Sequence, residues 1–247
     1  MNGNRIMTQN FLSSKAIPSR ERLIMALDVP GIAEAKALVE ELGDAVVFYK
    51  VGMELFMAGD YFGFIEWLKQ RGKKVFVDLK FFDVPATVGR AIRALSGKGV
   101  DFATIHGNDA VMAAAAREKG RLKVLAVTAL TSLDRGDLDD LGFQCEVRDL
   151  VLSRARRALE IGCDGVVSSG LEVAMLREHL DDRLLVITPG IRPVENREED
   201  DQKRVVSVAQ AFQNGADYIV VGRPIRDAEN RREKAEQIQA QIAEQFA

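Results

Sequence analysis

The sequence predicts an α/β protein built as a single (βα)8 TIM barrel, and three observations lead to this fold class. From residue 22 onward, short apolar runs rich in β-branched residues alternate with longer amphipathic stretches, which is typical of repeated βα units. The alternation occurs eight times without a large insertion, as a closed barrel requires. The sequence contains neither a glycine-rich dinucleotide fingerprint nor a Walker-type phosphate loop, which disfavours a nicotinamide or ATP enzyme.

Each strand is predicted where an apolar run is bounded by turn residues, and each helix where apolar residues recur at helical spacing. The predicted strands are 22–29, 46–52, 74–80, 101–106, 123–130, 165–169, 184–188 and 218–222. The predicted helices are 32–43, 54–71, 85–98, 108–119, 147–162, 171–180, 204–214 and 226–245. Residues 21–247 therefore form one predicted barrel domain. Residues 1–20 contain basic but no acidic side chains and no apolar stretch of the kind found in a signal peptide, so we expect a loosely ordered, flexible extension.

The composition excludes several classes of protein. The 34 Lys and Arg residues nearly balance 37 Asp and Glu residues, which argues against a general nucleic-acid or membrane-surface binder. No apolar run is long enough to cross a membrane. Two cysteines and two histidines are too few for a disulfide framework or a zinc cluster of the usual spacing. We expect a cytoplasmic protein without zinc.

Charged residues interrupt the apolar strands at their carboxyl ends, where barrel enzymes assemble their active sites. Asp28 ends the first predicted strand, Lys50 the second, and Asp78 and Lys80 the third. Because side chains alternate along a strand, Asp78 and Lys80 share one face. Together with Asp83 these residues fit an alternating array of charges that would keep Lys80 as an ammonium, since isolated buried charges are costly. The alternative is a structural Asp78–Lys80 ion pair, with Asp83 only the N-cap of the next helix.

A second theme is anion binding near the end of the chain. The seventh strand runs into the segment 188–192, which ends in Arg192, and the eighth into Gly222 and Arg223. In many barrels the loops at these places form a phosphate site, and glycine allows the backbone to approach the anion closely. Gln202 lies in a charged stretch that could reach a ligand on loop closure. The alternative is that these segments are ordinary turns.

Seven segments in this order resemble the orotidine 5'-phosphate decarboxylase family over nearly the whole barrel. They are ALD at 26–28, KVG at 50–52, DLKFFDVPATV at 78–88, TALTS at 128–132, TPGIR at 188–192, Asp201-Gln202 with Arg204, and VGRPI at 221–225. The resemblance implies decarboxylation of orotidine 5'-phosphate to UMP and CO2 in pyrimidine biosynthesis. It also implies a homodimer that uses no cofactor and no metal, with its active sites at the subunit interface.

The resemblance further implies the role of each residue in the charged motif. Lys80 matches the proton donor of the family, and Lys50, Asp78 and Asp83 match the other members of its array of alternating charges. Asp83 and Thr87 would reach the active site of the partner subunit.

The substrate-binding residues follow from the same resemblance. Asp28 and Lys50 would hold the ribose hydroxyls, and Thr131 would lie beside the pyrimidine. The phosphate would be bound by Arg192, Gln202, Gly222 and Arg223.

The chain departs from the family pattern at a few positions, and two other functions stay open. Phe82 and Ala86 stand where the family commonly has His and Asn, and Ser207-Val208 stands where Thr-Pro is frequent. The nearest alternative enzymes are the magnesium-dependent keto-gulonate-phosphate decarboxylases and hexulose-phosphate synthases, which share the Asp-x-Lys-x-x-Asp pattern. The other alternative is a noncatalytic nucleotide-binding regulator.

His106, at the end of the fourth strand, is expected to be a hydrogen-bonded supporting residue rather than a base.

Overall fold

The computed structural model describes residues 10–192 and 205–247 and confirms the predicted barrel. Eight parallel strands pair in sequence order, and the eighth closes on the first. The strands are β1 Leu23–Ala26, β2 Phe48–Gly52, β3 Lys74–Phe81, β4 Phe102–Ile105, β5 Lys123–Val127, β6 Gly165–Val167, β7 Leu185–Thr188 and β8 Tyr218–Val221. Seven are one to four residues shorter than predicted; β1, β4, β5, β6 and β8 are shorter at the carboxyl end, where the following residues belong to the loops.

Helices surround the barrel and follow the predicted order with three differences. They are α1 Ile32–Leu42, α2 Met53–Met57, α3 Tyr61–Gln70, α4 Pro85–Ser96, α5 Asp109–Glu118, α6 Arg135–Asp140, α7 Val147–Ile161, α8 Val173–His179, α9 Val208–Gln213, α10 Arg223–Arg226 and α11 Arg231–Gln245.

The differences have local causes. The predicted helix 54–71 is two helices, because Gly59 adopts a left-handed φ of +138° and the Asp60 side chain caps α3 by accepting the Gly63 N–H. The predicted helix 226–245 begins later, as α11 at Arg231, which the Asn230 side chain caps, and the separate short helix α10 precedes it. The short α6 was not predicted, and it begins with a reciprocal capping box between Asp134 and Asp137. Ser207, one of the departures from the family pattern, caps α9.

The apolar core has two layers, one between strands and helices and one inside the barrel. The inner layer contains Phe48, Phe76, Phe102 and Tyr218, whose rings meet edge to face; the Phe48 and Phe102 ring centroids are 5.0 Å apart. Because side chains alternate along a strand, the residues two positions after Phe48 and Phe76 also point into the barrel. Those residues are at the carboxyl end, so the packed interior forms the floor of an open site.

Residues 10–20 lie against the amino end of the barrel. The Phe11 N–H donates to the Gln213 carbonyl, and Ser13 and Lys15 bind the buried Asp217 carboxylate, which comes just before β8. Ile17 packs against the inner apolar layer. The described part of the predicted flexible extension is thus in contact with the barrel, while residues 1–9 lie outside the described residues. The domain boundary at residue 21 stays a prediction. In the described ranges, no helix is both long and apolar enough to cross a membrane.

Candidate active site

A cavity of about 410 Å³ opens at the carboxyl end of the strands. It is lined by most of the residues that the sequence singled out: Asp28, Lys50, Asp78, Lys80, Thr131, Arg192, Gly222 and Arg223. Residues more than 190 positions apart in the chain are therefore neighbours here. Gln202 and Arg204 lie outside the described residues.

Two lysines and two aspartates form a chain of alternating charges on one wall, which we call the charged network: Asp28, Lys50, Asp78 and Lys80. Lys50 Nζ lies 3.0 Å from Asp28 Oδ1 and 3.5 Å from Asp78 Oδ2. Lys80 Nζ lies 3.0 Å from Asp78 Oδ1. The Lys50 and Asp78 side chains are only 12% and 13% exposed. Each buried charge is therefore stabilised by the opposite charges beside it and not by water.

The electrostatics of the network favour the charged forms of its two buried members, Lys50 and Asp78. Burial by itself would lower the pKa of Lys50, but the Asp78 and Asp28 carboxylates outweigh it and raise that pKa above its ordinary value. Burial would raise the pKa of Asp78, but the ammonium groups of Lys50 and Lys80 and a hydrogen bond from Thr104 lower it. At neutral pH Lys50 is therefore a cation and Asp78 an anion.

Lys80 reaches the network from an irregular backbone. Its φ is +48°, and it is the only non-glycine residue with positive φ in the described ranges. The β3–β4 register shifts between Val77 and Phe81, so Lys80 does not continue a regular strand. The predicted convergence of Asp78 and Lys80 is present, but through this bulge rather than through simple alternation.

Three arginines line the wall formed by the ends of β7 and β8: Arg192, Arg223 and Arg226. Arg226, which the sequence analysis missed, donates to the Asp28 carbonyl at 2.7 Å and to the Asp227 carboxylate at 2.7 Å. Its position three residues after Arg223 on a short helix could have indicated it. A Cβ at Gly222 would lie 3.4 Å from the Ala26 side chain and 3.7 Å from Asp28 Oδ2, so a glycine here leaves room in the cavity.

The β5 loop supplies the third wall. Leu130, Thr131 and Ser132 line the cavity, and Arg154 on α7 holds the base of this loop by donating to the Thr128 carbonyl at 2.6 Å. Arg154 was also missed, since a basic residue on a helix face usually faces solvent.

His106 lies half-buried at the end of β4. Its Nδ1 is buried and finds no hydrogen-bond partner within the described residues, so the expected hydrogen-bonded support is not seen at that atom. Burial lowers the pKa of His106, and the nearby cations Arg154 and Lys80 lower it further. The imidazole is therefore neutral at pH 7.

Asp83 and Thr87 lie outside the cavity lining. Asp83 is exposed; its carboxylate accepts the Val84 N–H at 2.5 Å and makes no ion pair with any described residue. The N-cap of α4 is Val84, so the alternative interpretation of Asp83 as that N-cap is wrong, although Pro85 does begin the helix. Large apolar side chains flank Asp83: Phe82 is 69% exposed and Val84 62%.

No group of three or more His, Cys, Asp or Glu side chains in residues 10–192 and 205–247 is arranged to hold a metal ion. The carboxylates of the cavity wall are instead engaged by lysines.

Comparisons with known proteins agree with this geometry. The sequence model of the "Orotidine 5'-phosphate decarboxylase / HUMPS family" matches residues 21–238. An orotidine 5'-phosphate decarboxylase of Methylococcus capsulatus is 72% identical, covering 96% of this chain and 98% of the relative. One from Xanthomonas campestris is 50% identical, covering 92% and 93%. The crystal structure of orotidine 5'-phosphate decarboxylase from Lactobacillus acidophilus superimposes with a TM-score of 0.79 at 35% identity, covering 90% of this chain and 99% of the other.

Proposed function

The chain belongs to the orotidine 5'-phosphate decarboxylase family, and from this membership we propose that it converts orotidine 5'-phosphate to UMP and CO2 in pyrimidine biosynthesis. The observation that carries the proposal is the Lys80 ammonium, held 3.0 Å from Asp78 in a cavity that arginines also line. The 72% identical relative favours this carboxy-lyase over the magnesium-dependent sugar-phosphate enzymes that share the barrel.

The chemistry explains why a cationic side chain is needed. When the bond between C6 and the carboxylate breaks, the electron pair stays on C6 in the plane of the ring, where the ring cannot delocalise it. Enzymes lower barriers by about 8–23 kcal/mol, and without an electron sink this must come mainly from preorganised charges. Lys80 stabilises the carbanion and donates a proton from Nζ to C6, and the neutral amine then regains a proton from solvent.

The other members of the charged network keep Lys80 in place. Asp78 accepts a hydrogen bond from Lys80 Nζ, and Lys50 balances the second oxygen of Asp78. Asp78 also crowds the departing carboxylate with like charge, which favours the loss of CO2.

The substrate lies with its ribose hydroxyls at Asp28 and Lys50 and its pyrimidine beside Thr131. Arg192, Gly222 and Arg223 receive the phosphate, with Gln202 as a further contact. An arginine offers a fork of donors that suits phosphate oxygens, which supports this end of the cavity as the anion site.

We also propose that the enzyme is a homodimer in which Asp83 and Thr87 complete the site of the partner subunit. The support is an exposed carboxylate without an ion pair among the described residues, next to the exposed Phe82 and Val84. Exposed apolar groups of this kind mark interaction surfaces.

A mixed-dimer experiment tests the shared site. The Lys80→Met and Asp83→Asn variants, each inactive alone, are unfolded and refolded together. If Asp83 acts across the interface, every mixed dimer contains one intact site, and about a quarter of wild-type activity returns. If Asp83 acts within its own chain, the mixture stays inactive.

The reaction itself is tested by following the absorbance of orotidine 5'-phosphate with and without EDTA. We expect rapid loss of substrate, formation of UMP and no effect of the chelator, since we propose that no metal or cofactor takes part. Inhibition by EDTA would favour the magnesium enzymes, and binding without turnover would favour the regulator.

A pair of lysine variants sharpens this test. Lys80→Met should lower kcat by about 10⁴-fold or more, because the group supplies both a proton and a charge. Lys69→Met is the matched control, since Lys69 is also half-buried and pairs with Asp101 at 2.7 Å, but lies outside the cavity lining. Equal activity of the two variants would contradict the assigned role.

The nearly balanced charge and the two free cysteines support a cytoplasmic location, which we propose as well.

A further inference from the structure

The bulge that carries Lys80 has a single buried residue opposite it. In the β3–β4 pairing, Val77 lies opposite Ala103 and Phe81 opposite Ile105. Three residues of β3 therefore face only Thr104, and the regular ladder of backbone hydrogen bonds is interrupted there. Thr104 is fully buried, with 0% of its surface exposed.

The Thr104 hydroxyl binds both ends of this bulge. Its oxygen accepts the Lys80 backbone N–H at 2.9 Å, and its proton is donated to Asp78 Oδ1 at 2.9 Å. The direction of both bonds is fixed, because an amide N–H can only donate and an ionised carboxylate can only accept. Asp78 Oδ1 also accepts from Lys80 Nζ, so the three residues close a ring of hydrogen bonds.

This ring of hydrogen bonds restricts two groups that would otherwise be free to move, the Lys80 backbone and the Asp78 carboxylate. A lysine backbone at φ +48° is disfavoured and persists only where the surroundings determine it. An aspartate side chain can rotate, and the distance to the lysine amine depends on that rotation. A single hydroxyl, located on the neighbouring strand, restricts both the backbone of Lys80 and the orientation of the Asp78 carboxylate.

We propose that Thr104 is a positioning residue for the decarboxylation, holding Lys80 Nζ at its place over the reacting carbon by fixing the Lys80 backbone and the Asp78 carboxylate. The inference rests on the proposed function. Thr104 is not among the residues that line the cavity, so it acts through its two partners and not on the substrate.

The test compares substitutions that differ in one hydrogen-bonding group. Thr104→Val keeps the shape but removes the hydroxyl, and Thr104→Ser keeps the hydroxyl. The matched control is Tyr49→Phe, because Tyr49 is also 0% exposed in the barrel sheet, loses one buried hydroxyl that donates to the Val46 carbonyl, and lies outside the cavity lining.

We expect Thr104→Val to lower kcat by about 100-fold, the effect of a displacement near 1 Å, with KM for orotidine 5'-phosphate changed by less than about 3-fold. The ribose and phosphate contacts are untouched, so binding should persist. Thr104→Ser should restore kcat to within about 5-fold of wild type, and Tyr49→Phe should match wild type.

Several outcomes would overturn the proposal. A Thr104→Val enzyme with wild-type kcat would do so, and so would an equal loss of kcat in the Val and Ser variants, which would indicate a packing role only. If Thr104→Val does not fold, Thr104→Cys replaces it, since a thiol is close in size but bonds weakly; wild-type kcat in that variant would equally refute the role. Failure of the proposed function is distinct, because the wild-type enzyme itself would then not consume orotidine 5'-phosphate.

Discussion

The buried Asp217 is expected to be the most sensitive position at the amino end of the barrel, and its replacement by asparagine gives a measurable test. Its carboxylate is 0% exposed and lies 3.0 Å from Lys15 Nζ and 2.7 Å from Arg177 Nη2. It also accepts the Ser13 hydroxyl at 2.5 Å and the Val186 N–H at 2.9 Å. One side chain therefore connects the segment 10–20, α8 and β7.

The magnitude follows from the partners that remain. Removing one member of a buried ion pair costs about 3–5 kcal/mol, because the other charge is left without compensation. The lower end applies here for two reasons. Lys15 is 21% exposed and can reach water, and Arg177 keeps the Gly215 and Leu184 carbonyls as acceptors. A loss of about 3 kcal/mol corresponds to a fall in Tm of about 6–12 °C for a domain of this size.

The assay is thermal unfolding followed by circular dichroism, with Glu41→Gln as the control. Glu41 pairs with Arg231 at 3.0 Å, but both side chains are more than 40% exposed. An exposed pair contributes under about 1 kcal/mol, so this variant should lose no more than a few degrees. If Asp217→Asn melts within the range of that control, the energetic reasoning about the buried carboxylate is wrong.

Three further outcomes are expected. Arg223→Ala should lower kcat/KM for orotidine 5'-phosphate by about 10- to 100-fold, because charge-assisted hydrogen bonds are lost. Turnover of phosphate-free orotidine should be unchanged. Equal losses on both substrates would exclude a contact between Arg223 and the phosphate. Gly222→Ala should raise KM about 10-fold, because a Cβ at this position takes up space in the cavity beside Ala26 and Asp28. Burial lowers the pKa of His106 in the folded state, so the contribution of this residue to stability is full above about pH 6.5 and is lost as the pH falls below that value. In urea titrations, the free energy of unfolding of His106→Gln should therefore fall less between neutral and acidic pH than that of the wild type.

Much of the site could be predicted because the carboxyl ends of all eight parallel strands lie at the same end of the barrel. Asp28, Lys50 and Asp78 each interrupt an apolar run, and in parallel strands such interruptions meet at one end. The apolar periodicity also placed all eight strands. Gly59 and Asp60 carried a readable signal that the helix 54–71 divides, since a glycine followed by a capping residue ends one helix and begins another.

The remaining features depend on contacts that sequence patterns do not encode. A threonine within an apolar strand, such as Thr104, looks like any β-branched core residue, and only the register shows that it faces the bulge. The left-handed backbone of Lys80 is likewise invisible, because lysine has no preference for that conformation. Arg154 reaches the β5 loop from a helix, which requires knowledge of the packing between the two.

The charge distribution of the cavity accounts for the orientation in which we propose the substrate binds. In the charged network, two ammonium groups balance two carboxylates, so that wall carries little net charge. The wall formed by the ends of β7 and β8 carries the guanidinium groups of Arg192, Arg223 and Arg226, of which Arg226 is paired with Asp227. A phosphate with nearly two negative charges is attracted to the second wall at long range, which leaves the pyrimidine at Lys80. Since such steering is screened over about 10 Å at 0.1 M salt, added salt should lower kcat/KM for orotidine 5'-phosphate more than for orotidine. Equal salt effects on both substrates would mean that local contacts, and not the field of this wall, determine the orientation.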